Sequence, residues 1–338
     1  MLKVGFIGQG SITTTHYRGY ETLEAEGIVT VDAVADIRPE MLNKHEKLKN
    51  APNVRKYGDY NELLEAEVGK LDYVDIALPT FLHGKAAIRA MELGYHVIVE
   101  KPMALSYEEC VEMCEAAKRY GKKLMVAQCC RFEAFADAVR DYMKSGELGA
   151  LKTATFKRDG GTPTWGWENW FLKEELSGGA ILDLHVHDVD LMQDLFGVPM
   201  ALSSGASRII PGDGPDLVCT NYYYKDGFFA HTTTDWTTGN NRCYGRVYRV
   251  DFEKGHIFQG SMMGQSVFAL FMADGKVIEL GEKYPAKDMY TAEIRYFADC
   301  VANDKPVTRC TPESTADSIR IALTEKLSAE KQGERLFL

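Results

Sequence analysis

Hydrophobic residues in the first third of the chain occur in short continuous runs that alternate with amphipathic stretches. The runs are rich in β-branched residues, as buried parallel strands are. The stretches between them repeat apolar residues at the spacing of a surface helix. This alternation predicts a doubly wound parallel sheet. We expect strands at 3–7, 29–35, 73–78, 96–99 and 122–127, with intervening helices such as 85–93 and 107–120.

After about residue 128 the pattern changes to many β-type runs separated by short turns that contain Gly and Asp, which favours an antiparallel sheet. The expected helices are 135–145, 180–196, 292–302 and 311–330, the last beginning with a threonine cap and a proline. The expected strands are 153–157, 217–224, 228–236, 244–252, 267–272 and 276–280.

These patterns predict an α/β chain of two domains. Residues 1–127 are expected to form the doubly wound parallel sheet. Residues 128–338 are expected to form an α+β domain with a large, mostly antiparallel open sheet. The length of 338 residues agrees, since it exceeds what one ordinary core accommodates.

Composition narrows the functional class. A net charge of -10 argues against binding to nucleic acid, which requires a basic surface. No apolar run approaches the roughly 18 residues of a membrane span. The chain begins directly in a predicted strand, so we expect no signal peptide and a cytoplasmic location. The eight cysteines are then expected to be reduced thiols in the core.

A glycine-rich turn follows the first predicted strand and opens a helix. Gly8 and Gly10 allow the backbone to turn tightly and to approach a pyrophosphate, and Ser11 and Ile12 lie at the start of the helix. Thr13 occupies the third position, where Gly or Ala is usual. The turn therefore predicts a dinucleotide site with an imperfect fingerprint.

The end of the second predicted strand supports the same site. Asp36 lies at about the spacing at which an acidic residue binds the ribose hydroxyls. Its carboxylate would repel a 2′-phosphate, which favours NAD, whereas the nearby Arg38 leaves NADP as an alternative. The competing interpretation is that Asp36 is an ordinary turn residue.

Two further groups of polar residues carry candidate chemistry. Lys101 follows an apolar strand directly, at the edge where open α/β sheets bind ligands. The alternative is an ordinary surface lysine. Asp183 and His187 follow Gly178-Gly179 and lie one helical turn apart, an arrangement suited to proton transfer. A shared metal ion or a solvated polar face, including Asp188, Asp190 and Asp194, are the other interpretations of this helix.

Five motifs follow one another along the chain. They are Gly8-x-Gly10 with His16, Pro79-Thr80-Phe81-Leu82-His83, Glu100-Lys101-Pro102, the segment 128–132 ending in Arg131-Phe132, and Gly178-Gly179 through Asp183, His187 and Asp190. In their order and spacing they resemble the two-domain oxidoreductases typified by glucose–fructose oxidoreductase, inositol dehydrogenase and MocA. The resemblance covers essentially the whole chain.

The resemblance implies hydride transfer between a substrate carbinol carbon and a nicotinamide. His187 would be the general base, Lys101 would polarise the substrate oxygen, and Asp183 would orient the substrate or the imidazole. The cofactor would be NAD, with no metal ion, and the Lys101–Pro102 bond would be cis. The implied cofactor-binding residues are Gly8, Gly10, Ser11, Ile12, Asp36, Arg38, Pro79, Thr80, His83, Glu100, Lys101 and Arg131.

The chain also departs from the family pattern. Besides Thr13, Ser177 replaces the first glycine of a triple-glycine run. His185 replaces the usual glycine between the catalytic Asp and His, either adding a polar group near the site or lying on the other face of the helix. These changes make it unsafe to take the substrate from any one relative.

The expected substrate is a secondary alcohol of a sugar, polyol or inositol-like molecule. Trp165, Trp167 and Trp170 are candidates for stacking on a sugar, or else belong to the core or an oligomer interface. Lys157 and Arg158 would meet an anionic substrate group or be surface charges. The resemblance implies a homodimer or homotetramer. The alternative functions are an NAD-using glycosidase or lyase with transient substrate oxidation, and a non-catalytic NAD(H)-binding regulator.

Overall fold

The computed structural model describes residues 1–237 and 244–338. Its contacts divide the chain into two compact units, each of which is described by itself. The first unit comprises Met1–Cys129, Trp165–Trp170 and Asp288–Ala316. The second comprises Cys130–Thr164, Phe171–Lys287 and Asp317–Leu338.

The first unit contains a six-stranded sheet in the order β3-β2-β1-β4-β5-β6, and every adjacent pair in it is parallel. This is the strand order typical of a dinucleotide-binding domain, and it confirms the predicted fold class. The strands are β1 (Leu2–Ile7), β2 (Val29–Ala35), β3 (Arg55–Tyr57), β4 (Tyr73–Ile76), β5 (His96–Glu100) and β6 (Leu124–Ala127). The helices between them are α1 (Thr13–Ala25), α2 (Glu46–Lys49), α3 (Tyr60–Ala66), α4 (His83–Glu92) and α5 (Tyr107–Tyr120).

The five predicted strands correspond to β1, β2, β4, β5 and β6, with ends that differ by at most two residues. Those predicted at 73–78 and 122–127 are too long, because β4 stops at Ile76 and β6 begins at Leu124. The three-residue edge strand β3 was missed because it is too short to show a periodic pattern.

A helix from the far end of the chain completes the first unit. Helix α9 (Met289–Ala302) packs against α1. Its Phe297 is fully buried and meets Tyr73 edge-on, with ring centroids 5.3 Å apart. The predicted helix at 292–302 is therefore present. Its membership of the first unit depends on a contact across more than 200 residues of sequence, which no local pattern records.

The second unit is built on a nine-stranded sheet in the order β14-β13-β12-β11-β7-β10-β9-β8-β15. The strands are β7 (Leu151–Asp159), β8 (Ala201–Ser207), β9 (Leu217–Tyr223), β10 (Phe229–Asp235), β11 (Gly245–Phe252), β12 (Gly255–Met262), β13 (Gln265–Met272), β14 (Val277–Glu279) and β15 (Leu336–Phe337). Its helices include α6 (Ala134–Ser145), α7 (Glu174–Ser177), α8 (Val186–Phe196) and most of α10 (Pro312–Glu330).

This sheet is mostly antiparallel, as predicted. Among the described strand pairs of this second sheet, only β7 and β10 run parallel. Strands β8 and β12 and the two-residue β15 were not predicted. Strands β8 and β12 contain Gly and Ser at positions where a strand usually carries β-branched residues, and their pairing with neighbours overrides that weak preference.

The predicted helix at 180–196 is present but is not a regular α-helix. Ile181–His185 form a π-helical turn, and α8 follows it. The regular spacing of 3.6 residues per turn, from which the sequence analysis placed Asp183 and His185 on the helix, therefore does not hold in this segment. The backbone N–H of Ala180, just before the turn, donates to the carbonyl of Pro215, outside the helix.

Two expectations from composition can be compared with the described residues. None of their helices combines the length and apolar character needed to cross a membrane. Their seven cysteines are thiols, and all except Cys219 are buried. Cys243 lies outside the described residues.

The packing of α9 against the first unit can be tested by truncating Phe297. We expect Phe297→Ala to lower the free energy of unfolding by about 3–5 kcal/mol, because it leaves a cavity beside Tyr73. Denaturant titration followed by circular dichroism would measure this. The control is Phe337→Ala, whose side chain is 80% exposed, with an expected change within about 0.5 kcal/mol. Equal losses in the two variants would contradict the packing.

Candidate active site

The glycine turn of the first unit is shaped for close backbone approach. Gly8 has a φ of +86°, and a Cβ there would lie 2.4 Å from the carbonyl oxygen of Ala77. No side chain fits. A Cβ at Gly10 would meet no protein atom within 4 Å in the described structure, so that side of the turn faces open space.

Thr13, the departure from the fingerprint, is accommodated within the turn. Its side chain is buried, and its hydroxyl donates to the carbonyl of Gly10 at 2.7 Å. The Thr13 hydroxyl therefore closes the glycine turn with a hydrogen bond that Gly or Ala at this position could not make. In the described residues, the first turn of α1 contains no acidic side chain, and Ile12 at its start makes no side-chain cap. An N-terminus of this kind suits the pyrophosphate of NAD.

Asp36 fastens the end of β2 to the glycine turn. Its buried carboxylate accepts the backbone N–H of Gln9 at 2.8 Å. The same carboxylate is paired with Arg38, which donates from its backbone N–H and from two guanidinium nitrogens at 2.9–3.0 Å. These bonds fix the position of the carboxylate, and its contact with the ribose remains a prediction. The partial neutralisation by Arg38 weakens the repulsion that Asp36 alone would exert on a 2′-phosphate.

The loop after β4 is tied to the residues that follow β5. His83 is buried, with Nε2 2.8 Å from the carbonyl of Leu78 and Nδ1 2.8 Å from the carbonyl of Pro102. Burial lowers the pKa of His83, while the two carbonyl oxygens oppose that shift. Thr80, on the same loop, is also buried, and Pro79 is half-buried.

A buried histidine connects three elements beneath the sheet edge. The imidazole of His16, on α1, lies 2.8 Å from Asp75 on β4 and 2.8 Å from Glu100 at the end of β5. Burial lowers the pKa of His16, but the two carboxylates outweigh burial and raise it well above its ordinary value. Burial raises the pKa of Glu100, but the hydrogen bond from His16 reverses this and leaves it lowered. The raised pKa of His16 favours an imidazolium at this position, between the side chains of Asp75 and Glu100.

This cluster holds the backbone of Lys101. Its N–H donates to the Glu100 carboxylate at 3.0 Å, and the Lys101–Pro102 bond is cis, as the resemblance implied. The half-buried Lys101 is thus held from one side by Glu100 and from the other by the His83 bond to Pro102. The contact of the Lys101 side chain with a ligand remains a prediction.

In the second unit, two glycines begin the helix that carries the other candidate residues. Gly178 has a φ of +75°, and a Cβ there would lie 2.4 Å from the side chain of Leu182. The hydroxyl of Ser177 accepts the N–H of Gly179 at 3.0 Å and donates to the carbonyl of Phe171 at 2.7 Å. Ser177 therefore stabilises the turn that precedes the helix.

The candidate acid and base lie on and just after the π-helical turn. Asp183 is 9% exposed and lies within the turn, and His187 is half-buried in the first turn of α8. Nδ1 of His187 is 3.9 Å from Sγ of Cys130, which also lies 3.5 Å from a guanidinium nitrogen of Arg158.

The interpretation of Asp188 and Asp190 as a solvated face is wrong, because both are fully buried. Asp188 receives two bonds from Arg158, at 2.7 and 3.1 Å, so Arg158 is not a surface charge. Burial lowers the pKa of Arg158, but Asp188 outweighs it and raises that pKa. Lys157 is exposed and pairs with Asp159.

Asp190 receives two bonds from Arg131, at 2.6 and 2.7 Å, and one from Ser318 on α10. Arg131 also contacts Asp194, which is only partly buried. The guanidinium that we expected at the cofactor is thus directed at two carboxylates of α8, those of Asp190 and Asp194. A cofactor contact by Arg131 remains a prediction.

The three tryptophans differ in exposure. Trp165 and Trp167 are 49% and 41% exposed, so the core interpretation is wrong for both, whereas Trp170 is half-buried. Glu168 and Asn169, between them, both have positive φ values, at 51° and 56°. Stacking on a substrate and an oligomer interface remain as interpretations.

Sequence reasoning missed Asp75 and Gln9 and did not assign a role to His16. The signal for Asp75 was present, since a carboxylate in the middle of an apolar strand requires a buried partner. The partner itself, on a helix 59 residues away, could not be read from the pattern.

A parallel six-stranded sheet, with a glycine turn and a buried acid at the end of β2, defines a dinucleotide-binding domain. The sequence agrees. The model of the oxidoreductase family with an NAD-binding Rossmann fold matches residues 2–128, and that of the GFO/IDH/MocA C-terminal domain matches residues 136–258. The chain therefore belongs to the Gfo/Idh/MocA family of NAD-binding oxidoreductases.

Individual relatives carry several activities. Scyllo-inositol 2-dehydrogenase (NAD(+)) of Bacillus subtilis (strain 168) is 32% identical over 248 residues, which cover 70% of this chain and 69% of that protein. The 2,7-anhydro-N-acetylneuraminate hydratase of Escherichia coli (strain K12) is 35% identical over 183 residues, covering 51% and 47%. The structure of levoglucosan dehydrogenase with NADH and levoglucosan superposes with a TM-score of 0.86 at 20% identity, over 99% of each chain, and shows the shared fold.

Replacing Asp36 should change the cofactor preference. Asp36→Ser removes the carboxylate and releases Arg38, so we expect the ratio of NADPH to NADH affinity to rise at least about tenfold, or ~1.4 kcal/mol. Fluorescence titration with each reduced cofactor measures this ratio. Asp32→Ser, on the same strand, is the control and should leave it unchanged. An unchanged ratio in Asp36→Ser would remove Asp36 from the cofactor site.

Replacing His16 with an uncharged residue should leave the buried carboxylates of Asp75 and Glu100 without their positively charged partner. We expect His16→Gln to cost about 3–5 kcal/mol in the free energy of unfolding. The raised pKa of His16 means that its stabilisation is complete below its ordinary pKa of about 6.5 and is lost as the pH rises further. The lowered pKa of Glu100 means that its stabilisation is lost as the pH falls below about 4.5.

The deficit of the variant should therefore be largest at about pH 5–6. Denaturant unfolding across pH measures it. His256→Gln, a half-buried histidine on β12, serves as the control and should show a small deficit with no such maximum. A deficit in His16→Gln that does not vary with pH would show that the imidazolium is not the stabilising form.

Proposed function

We propose that this protein is an NAD-dependent dehydrogenase that oxidises a secondary alcohol of a sugar, polyol or inositol-like substrate. The observation that carries the proposal is the support given to Lys101. Glu100, His16 and His83 hold a lysine at the carboxyl end of β5, where an open α/β sheet binds its ligand. Such support suits a side chain that has to meet a reacting atom.

Lys101 is proposed to hold the substrate oxygen. When bound, the nicotinamide accepts the hydride that leaves the carbinol carbon. Negative charge develops on the oxygen of that carbon as the hydroxyl proton departs. An ammonium held beside it stabilises this charge without a large reorganisation, because its backbone is already fixed.

His187 is proposed to take the hydroxyl proton. An imidazole has an ordinary pKa of about 6.5 and exchanges protons readily near neutral pH. Asp183 is proposed to orient the substrate hydroxyl or the imidazole, from its position in the π-helical turn four residues before His187. The two hydrogen bonds from Arg158 to Asp188 hold α8 in position, so the backbone that carries the His187 imidazole is held in place.

The substrate class is proposed from the relatives. The inositol dehydrogenase named above, at 32% identity, acts on a cyclic polyol by its name. The exposed Trp165 and Trp167 offer flat apolar surfaces of the kind that stack on sugar rings. A panel of inositols, sugars and linear polyols, assayed for NADH formation, tests the class and identifies the substrate.

The role of Lys101 predicts a specific defect. Lys101→Met should lower kcat by about a thousandfold, or ~4 kcal/mol, while NADH affinity stays within about twofold. Steady-state kinetics and cofactor titration measure the two quantities. The control is Lys85→Met, an exposed lysine on α4, which should keep normal turnover. Near-normal turnover of Lys101→Met would contradict the proposed role of Lys101 at the substrate oxygen.

A second candidate function uses the same residues in a lyase or glycosidase, with the substrate oxidised and then reduced again. The observation that favours this second function is the 35% identity, over about half of the chain, to the hydratase named above. The two functions differ in their balance of cofactor. A dehydrogenase accumulates one NADH for each product molecule, whereas the transient mechanism consumes substrate with no net NADH.

We also propose a homodimer or homotetramer. Large apolar side chains remain exposed in or beside the sheet of the second unit, including Phe229, Tyr244 and Val277 at 48–57% exposure. Exposed apolar side chains suit an interface between copies of the chain. Light scattering after size-exclusion chromatography measures the mass of the assembly.

A further inference from the structure

His185 is fully buried two residues before His187, and both of its ring nitrogens have partners. Nδ1 lies 2.6 Å from the hydroxyl of Thr234 on β10. Nε2 lies 3.1 Å from Oε2 of Glu325 on α10, a close polar contact without hydrogen-bond geometry, and Glu325 is also fully buried. One side chain therefore connects the π-helical turn to the sheet and to the C-terminal helix.

The surroundings of this contact are polar and closed. The hydroxyl of Thr232 lies 3.2 Å from Nε2 of His185, and that of Tyr222 lies 3.5 Å from it. Tyr222 also donates to Glu325. Burial and the carboxylate of Glu325 raise the pKa of Tyr222, so it remains a donor. These four side chains are fully buried, so each makes its polar contacts with other protein groups and not with bulk water.

The π-helical turn needs such support. A π turn is rare in proteins because its backbone geometry is less favourable than that of an α-helix. The turn spans Ile181–His185, so Asp183 lies inside it and His187 directly follows it. A return to α-helical spacing would rotate Asp183 relative to α8, which Arg158 and Arg131 hold in place.

We propose that His185 is a positioning residue, which maintains the π-helical turn through Thr234 and Glu325 and so sets the direction of Asp183 relative to His187. It does not touch the reacting atoms, since it is buried on the sheet side of the helix. The position is the one at which the resembled motif has a glycine, which has no side chain to make these bonds. The inference rests on the proposed roles of Asp183 and His187.

The test uses variants of the full-length protein. We expect His185→Gly and Glu325→Ala each to lower kcat by about a hundredfold, the cost of displacing a catalytic group by about 1 Å. KM should change by less than about threefold and NADH affinity should be unchanged. The double variant should be no slower than either single variant, because both changes break the same link.

A conservative variant and a matched control separate positioning from general stability. His185→Gln keeps an amide near the position of Nε2 and should recover at least about tenfold of the lost kcat. His231→Gln changes a histidine on the same strand as Thr234 that bonds to Asn221 and Thr233 instead, and it should behave as wild type. A folded His185→Gly protein with wild-type kcat would overturn the proposal.

A measurement that needs no substrate tests the proposal independently of the enzymatic activity. Nitrogen chemical shifts of the His187 ring, measured by NMR in the NADH complex, should change in Glu325→Ala and not in His231→Gln. If wild type oxidises no alcohol in the panel, the proposed function fails, and these shifts alone decide whether His185 positions the turn. If His185→Gly does not fold, Glu325→Ala and His185→Gln take its place. Unchanged shifts with unchanged kcat in Glu325→Ala would overturn the proposal.

Discussion

A charged side chain in a protein interior requires an opposite charge, because removing it from water costs several kcal/mol that only a well-placed partner offsets. Both units of this protein contain such partners beneath their candidate functional residues. His16 lies between Asp75 and Glu100 in the first unit. In the second, Arg158 pairs with Asp188 and Arg131 with Asp190. Each pair is directional as well as attractive, so it defines the position of the backbone that carries it.

The consequence for function is that the candidate reactive residues have rigid supports. Lys101 follows Glu100, whose carboxylate is bonded to His16 and to the N–H of Lys101 itself. His187 directly precedes Asp188 on α8. Groups supported in this way need little reorganisation free energy to reach their reactive positions. The same pairs explain why polar residues occur where the apolar pattern alone would place hydrophobic ones.

Much of this architecture was predictable from the sequence, and the limits are physical. Apolar runs and their stop signals located five of the six strands of the parallel sheet, since a buried strand of ordinary length appears as a run of apolar residues in the local sequence. The glycine turn and Asp36 were recognisable because their spacing follows from backbone geometry. The contact of α9 with α1, and the parallel pairing of β7 with β10, were not recognisable, because they depend on segments far apart in the chain.

The candidate site shows the same division at the level of single residues. The sequence by itself determined which residues have the chemistry for the proposed reaction, namely Lys101, Asp183 and His187, and that His185 was unusual. Only the tertiary structure decided that Asp188 and Asp190 are buried structural acids and that His185 belongs to a closed network with Thr234 and Glu325. The physical reason is that side-chain identity sets what a group can do, whereas burial and partners, which come from distant segments, decide which of those possibilities is realised.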